Sequence, residues 1–353
     1  MQLESIEFSF LSIFTLLTFF IFLMISKYSY KIKNGALLDK DFSKPQAFHL
    51  HAISRSGGVA GIISLNIFFL IYFLLYSKIL YEYIFICNLM FVIGFLDDIK
   101  IKVSPLKRLL MMIFSLLFSI HFMSIGISNI DMPFLLNFLK NDIFSSIFVL
   151  LCFLFIINGA NLIDGFNGLL VINLVIINSV LLYINISNGN NEFSIFLIAQ
   201  IIILLSFLLF NFPSAKIFLG DGGSYAIGSL VALNSIITNN LNPNYSSFFF
   251  CTLLFYLFFE VFFSFLRKIV QKKSPVHPDS NHLHMLIYKK ISLIYGRDKG
   301  NYINSIVINS GYFILILPAI YFAKDPVISY YWFFSLIQIY LLIYFRLYRL
   351  TKN

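Results

Sequence analysis

Eleven predominantly apolar runs, each long enough to cross a bilayer as a helix, occupy most of this chain. They lie at roughly 8–26, 58–76, 79–96, 109–127, 144–160, 168–186, 193–211, 223–239, 247–268, 303–322 and 327–345. Crossing the hydrocarbon core takes about 20 residues at the helical rise. The expected fold class is therefore an all-α, polytopic integral membrane protein with about eleven spans, or ten if one run does not cross. With 59% hydrophobic and 12% charged residues, the chain lies well outside the soluble range. No polar stretch exceeds roughly 35 residues, so residues 1–353 read as one membrane-embedded domain. The 44 phenylalanines then read mostly as lipid-facing surface.

The basic residues orient the spans. With the N-terminus outside, 22 of the 25 Lys and Arg fall on inner segments: six in 27–57, four in 97–108, one in 212–222, eight in 267–302 and three in 346–353. Only Lys78, Lys140 and Lys324 remain outside. Such a bias predicts an N-out, C-in topology with a basic cytoplasmic face. The net charge of +9 then suits lipid headgroups and phosphorylated substrates rather than nucleic acid, because no basic domain stands apart from the membrane. Glu4 and Glu7 precede the first run and Lys27, Lys31 and Lys33 follow it, the pattern of an N-out anchor and not of a cleaved signal peptide. Cys87, Cys152 and Cys251 lie far apart in apolar runs and suggest neither disulfides nor zinc. No repeat or inverted symmetry is evident.

Three acidic, glycine-bearing clusters punctuate the runs, all on the inner side: FLDD (Phe95 to Asp98), NLIDGFNGL (Asn161 to Leu169) and FLGDGGS (Phe218 to Ser224). Carboxylates at a bilayer boundary are costly and normally hold a cation or do chemistry. Asp97 and Asp98 close the third run, where adjacent acids can share a hard cation or divide metal binding from proton transfer. Taken alone, such a pair is a weak motif, and the bland alternative is two solvated interface residues. Asn158, Asn161, Asp164 and Asn167 recur every three residues, which on a helical turn clusters them on one face. Amide and acid side chains beside Gly159, Gly165 and Gly168 suit a nucleotide; the bland alternative is a turn with Asx caps. Asp221 precedes Gly222, Gly223 and Ser224 at the start of a span, a place for Mg²⁺ and phosphate or for a simple N-cap. In the last inner loop, His282 and His284 are too close for an i, i+4 zinc pair and no HExxH accompanies them. With His277 they can hydrogen-bond a phosphate or sugar, or merely occupy a surface turn.

Together these motifs resemble the polyprenyl-phosphate N-acetylhexosamine-1-phosphate transferases, and more distantly the phospho-MurNAc-pentapeptide translocases. The resemblance covers about residues 45 to 300. It rests on RSGG at Arg55 to Gly58, the pair Asp97 and Asp98, NLIDGFNGL, GDGGS, Glu260 seven residues before Arg267, and SP…PDxxHLH at Ser274 to His284. It implies a glycosyltransferase-type enzyme that moves a sugar-1-phosphate, most commonly GlcNAc-1-phosphate, from a UDP-N-acetylhexosamine to undecaprenyl phosphate. UMP is released, and a lipid-linked glycan of the O-antigen, common-antigen or teichoic-acid type begins. The implied cofactor is Mg²⁺ or Mn²⁺ and the implied location the bacterial inner membrane, with membrane lipid as a further partner and a homodimer as one open option for the assembly. On this reading Asp97 and Asp98 are catalytic, Asp221 with Asp98 holds the metal, and Arg55, Asn161, Asp164, Asn167, His282 and His284 bind substrate. Many relatives have Asp where Asn167 stands and a third His where Met285 stands. The run of adjacent histidines of the peptidoglycan translocases is missing here, which speaks against a MurNAc-pentapeptide donor. A transporter or flippase is the rival reading, but it predicts polar groups along a path to both faces. A non-catalytic scaffold explains none of the clusters.

Overall fold

The apolar runs fold as helices, and two of them depart from the simple picture in an informative way. The computed structural model describes residues 2–31, 37–39, 52–101, 103–274 and 279–352. In chain order the elements are α1 (Gln2–Tyr28), β1 (Leu38–Asp39), β2 (Ile53–Ser54), α2 (Gly57–Tyr76), α3 (Tyr81–Asp98), α4 (Pro105–Phe122) and α5 (Pro133–Leu139). There follow α6 (Asp142–Ile163), α7 (Leu169–Ser187), α8 (Asn191–Asn211), α9 (Gly220–Leu241), α10 (Ser247–Leu253), α11 (Phe255–Val270), α12 (Leu283–Tyr295), α13 (Arg297–Tyr321) and α14 (Pro326–Lys352).

Among the described residues, eight helices are long and apolar enough to cross a membrane, and nine if α10 and α11, which meet at a 76° bend, form one span. The chain is an all-α, multi-pass membrane protein. Helices α3 and α9 stand where spans at 79–96 and 223–239 are expected, yet neither is apolar enough to count among the eight. The reason lies in what surrounds them. Helix α3 carries Glu82, Asp97 and Asp98. Helix α9 is rich in Gly, Ser and Asn, and 17 of its 22 residues are buried. It packs against α2, α3, α6 and α7 and so meets protein on most sides. A helix that faces protein rather than lipid has no need of a continuous apolar surface. Its polar residues pair internally: Asn234 accepts from the Tyr83 hydroxyl (3.0 Å) and donates to Asn178 (3.0 Å) and Gln200 (2.8 Å).

Small residues set how closely these helices approach, as expected where backbones touch in a membrane. A Cβ on Gly94 would lie 2.3 Å from the Asp221 carbonyl oxygen, and one on Gly58 would lie 2.5 Å from the Gly223 backbone. The start of α2, the end of α3 and the start of α9 are thereby clamped together. A short strand patch completes the clamp. β1 and β2 pair antiparallel, Leu38 opposite Ser54 and Asp39 opposite Ile53. The chain beyond β2 then bonds the segment leading into α9: Phe218 N–H donates to Ser54 (2.8 Å), Gly57 N–H to Phe218 (2.8 Å) and Gly58 N–H to Leu219 (2.8 Å). That pairing carries Arg55, remote in sequence, to the first turn of α9.

Candidate functional site

Four chain segments bring acids and bases together at the start of α9: the turn into α2 with Arg55, α3 with Asp97 and Asp98, α4 with Arg108, and α9 itself with Asp221. Asp98, at the end of α3, is almost fully buried, with a side chain 2% exposed. Its Oδ1 accepts from the Asp221 N–H (3.0 Å) and its Oδ2 from the Gly222 N–H (2.9 Å). These are among the first N–H groups of α9, which lack partners within their own helix. Asp98 therefore caps α9 from outside, and its negative charge suits the positive helix end. Gly220 makes this contact possible. Its φ is +79°, favoured only by glycine, and a Cβ there would sit 2.6 Å from Asp98 Oδ2.

Asp221 is not an N-cap. The N-cap position of α9 is Leu219, which supplies no side-chain cap. The Asp221 carboxylate instead points outward into a set of polar partners. Oδ2 accepts from Arg108 Nη1 (2.7 Å) and Oδ1 from Asn161 Nδ2 (3.2 Å), while Arg55 Nη1 lies 3.9 Å away. Arg108 Nη1 also lies 3.3 Å from Asp97 Oδ2. One guanidinium nitrogen thus bridges two carboxylates that are 33% (Asp97) and 21% (Asp221) exposed, the reachable pair of the site. Arg55 is held by Asp39 through Nε (3.0 Å) and Nη2 (2.7 Å), which aims Nη1 at Asp98 (3.5 Å). Arg108 Nε is buried without a hydrogen-bond partner among the described residues.

The expected polar face at 158–167 is only half helical. Helix α6 ends at Ile163, with Asp164 at its C-cap, because the turn through Gly165 and Gly168 leaves the helical path; Gly168 has φ +76°. Asn158 donates to Leu154 within its own helix (2.7 Å), and Asn161 donates to Ser224 (3.0 Å) as well as to Asp221. Asn167 donates through Nδ2 to the Pro213 carbonyl (2.8 Å), bracing the α8–α9 connection. Asp164 has no hydrogen-bond partner among the described residues. Burial, then the charges of Asp221 and Asp98, holds its carboxyl well above the usual carboxylate range, with Arg55 opposing.

The histidines form a separate, buried group, and His277 lies outside the described residues. His282 and His284 are 2% and 0% exposed, their rings stacked 5.4 Å apart. Glu260 of α11 accepts from Leu283 N–H (2.7 Å) and faces both rings, 3.5 Å from His282 Nδ1 and 3.7 Å from His284 Nδ1. Arg267 binds Asp279 (2.7 Å), the Tyr344 hydroxyl (2.6 Å) and the Asn281 carbonyl. Burial alone would raise the Asp279 carboxyl, but Arg267 and then His282 hold it below its usual value. Burial pushes the His284 imidazole down to about 4, against the pull of Glu260. The Phe166 ring, from the turn that carries Asp164, meets His284 at 5.9 Å and links the two groups.

Sequence reasoning missed Arg108, Asp39 and Ser224. Arg108 was visible as one of four bases after Asp98, but nothing in spacing told it apart from Lys100, Lys102 or Lys107.

Residues 80–239, which hold all four clustered aspartates, match the family model described as Glycosyl transferase family 4. Undecaprenyl-phosphate alpha-N-acetylglucosaminyl 1-phosphate transferase of Thermotoga maritima is 30% identical over 145 residues, which are 41% of this chain and 44% of that protein. Phospho-N-acetylmuramoyl-pentapeptide-transferase of Clostridium perfringens is 34% identical over 153 residues, 41% of this chain and 48% of that protein. The enzyme of that name from Clostridioides difficile is 29% identical over 198 residues, 52% and 62% respectively. The chain spans about half the length of the curated relatives it matches. These matches bear out the resemblance drawn from the motifs.

Proposed function

We propose that the chain transfers N-acetylhexosamine-1-phosphate from a UDP-sugar to undecaprenyl phosphate in the bacterial inner membrane. UDP-GlcNAc is the first donor to test, and the active site opens to the cytoplasm in the N-out, C-in arrangement with α3 and α9 among eleven spans. The observation that carries this reading is the convergence of Asp97, Asp221, Arg108 and Arg55 at one helix start, each brought by a different segment of the chain.

In this reaction an oxygen of the lipid phosphate attacks the β-phosphorus of the UDP-sugar. The bond from that phosphorus to the bridging oxygen breaks, and UMP departs with the electron pair. Such a transfer needs positioning and charge neutralisation more than a protein nucleophile. Arg55 and Arg108 supply the fixed positive charge, and Asn161 holds Asp221 in its outward rotamer. Asp98 is occupied by two backbone N–H groups, so its part is to hold the first turn of α9, and Asp97, more exposed and among the described residues in ion contact only with Arg108, is the acid placed to orient or deprotonate the lipid phosphate.

The donor set fits a divalent cation. Asp97 and Asp221 are partly exposed carboxylates already drawn to one positive nitrogen, that of Arg108. Among the described residues no group of three or more His, Cys, Asp or Glu could hold a metal alone. Mg²⁺ commonly takes one or two carboxylates and completes its shell with phosphate oxygens and water. Asp97 and Asp221 would hold the ion, which when bound neutralises diphosphate charge and favours departure of UMP. Asp164, Asn167 and the histidines remain the candidates for nucleotide and sugar.

The test is purified protein with undecaprenyl phosphate and a panel of UDP-sugars, read as UMP release. Turnover should vanish in EDTA and return with Mg²⁺ or Mn²⁺. Full turnover in chelator would remove the metal, and no UMP from any donor would remove the reading.

A further inference from the structure

The inner end of α1 gathers positive charge that no carboxylate offsets. Lys27 and Lys31 lie against one ring, their Nζ atoms 5.7 and 5.9 Å from the centroid of Tyr28. The Tyr30 hydroxyl donates to the Lys216 carbonyl (3.1 Å) and so fastens this end to the connection between α8 and α9. All three lysines are exposed, as are Tyr28 and Tyr30. Arg55, Arg108, Arg267 and Lys78 each meet a carboxylate, whereas among the described residues Lys27, Lys31 and Lys216 meet none. The apolar span of α1 runs from Ser9 to Lys31, which puts these bases at the level of lipid headgroups, where tyrosine rings also settle. Deeper along the same two helices, Phe20 and Met24 of α1 and Leu209 of α8 are exposed, and the helices pack through Phe19 and Phe210, ring centroids 5.8 Å apart.

Like charges gathered at one ring repel, and an anion between them removes that cost. A phospholipid supplies such an anion at the right depth, and its acyl chains cover the apolar flank below. We propose that this corner binds an anionic phospholipid of the inner leaflet, its phosphate held by Lys27, Lys31 and Lys216. A zwitterionic phospholipid carries a phosphate too, but its own ammonium repels the same lysines. Occupancy reaches the acidic cluster through the backbone. Lys216 N–H donates to the Phe210 carbonyl (2.8 Å), and two residues on Phe218 N–H donates to Ser54 (2.8 Å) in the pairing that seats α9. A bound lipid thus braces α1 against the segment that enters the first turn of α9. Such binding does not depend on the transferase reading.

The test places the full chain in phosphatidylcholine nanodiscs that contain a minor fraction of phosphatidylglycerol. Lipid that stays on the protein after release from the disc is counted by native mass spectrometry. One base at the headgroup level favours an anionic lipid about fivefold, so three together should enrich phosphatidylglycerol over phosphatidylcholine about 100-fold relative to the disc. The enrichment should fall at least about tenfold in Lys27→Gln/Lys31→Gln/Lys216→Gln and survive in Lys27→Arg/Lys31→Arg/Lys216→Arg, which keeps the charge. Lys272→Gln/Lys273→Gln, which removes two exposed bases of another inner segment, should leave it unchanged. Phosphatidylglycerol should also raise the melting temperature of the wild type and not that of the triple Gln variant. Because the enrichment compares two lipids on the same molecule, it does not depend on how stable each variant is. Equal enrichment in the wild type and the triple Gln variant overturns the proposal. So does an equal fall in Lys272→Gln/Lys273→Gln, which would mean a diffuse basic surface and no site. Glycerol phosphate, a headgroup without chains, should not stabilise the protein; if it does so as well as phosphatidylglycerol, the corner takes free phosphate and the lipid assignment fails.

Discussion

Replacing Asp98 and its neighbour Asp97 by Asn should separate architecture from chemistry. Asp98 holds the N–H groups of Asp221 and Gly222 at 3.0 and 2.9 Å with its two oxygens. In Asp98→Asn one oxygen becomes an NH₂ that faces a backbone N–H, so one bond is lost and one buried donor is stranded. A hydrogen bond to a charged group contributes about 1.5–3 kcal/mol, and a stranded buried N–H costs about 1–3 kcal/mol. Relief of repulsion with Asp221 offsets part of this. The net loss should be about 2 kcal/mol, or about 3–6 °C in melting temperature. Asp97 holds no backbone group in this way and is 33% exposed, so Asp97→Asn should change stability by less than about 1 kcal/mol. Its turnover should instead fall about 10²–10³-fold, the scale of removing one electrostatic stabiliser. Thermal unfolding in detergent, paired with UMP release on the same preparations, reads both quantities. An unchanged melting temperature in Asp98→Asn would refute its capping role. Near wild-type turnover in a folded Asp97→Asn would refute the assignment of Asp97.

Further expectations follow from other contacts. Gly94→Ala would place a Cβ 2.3 Å from the Asp221 carbonyl, where only backbone could yield, so it should cost at least about 1–3 kcal/mol and displace the site, seen as lowered melting temperature and turnover together. In a background lacking the three native cysteines, Gly189→Cys and Asn244→Cys should label from outside and Lys273→Cys only after permeabilisation; the reverse pattern would invert the proposed topology. His284 is held down to about 4, below the ordinary value of about 6.5, so the unfolded chain takes up the proton first as pH falls. Stability that is full above pH 6.5 should therefore be lost toward pH 4, by up to about 3 kcal/mol. His284→Gln should flatten this difference between melting temperatures at pH 7 and pH 5, and an identical pH response in both proteins would contradict it.

The apolar runs alone dictated a helical membrane protein, because length and hydrophobicity are local properties and the bilayer rewards them span by span. The acidic clusters were legible for a similar reason: Asp97, Asp98, Asp164 and Asp221 are conspicuous where charge is scarce and costly. The division of labour among them was not legible. Asp98 and Asp97 are adjacent and chemically identical, and only the approach of α9, allowed by Gly94 and Gly220, commits one to capping and leaves the other exposed. Likewise the three-residue spacing from Asn158 to Asn167 suggested one polar face, but the helix ends at Ile163 and sends Asn161 toward Asp221 and Asn167 toward Pro213. Arg55 and Arg108 are 53 residues apart and meet the same carboxylate because residues 53–58 pair with 217–219 while α4 packs on α3 and α6. Even the polarity of α9, unusual in the span expected at 223–239, follows from enclosure by other helices. Which residues are costly can be read from one position at a time; which partner offsets that cost depends on contacts between distant segments, and those exist only in the folded chain.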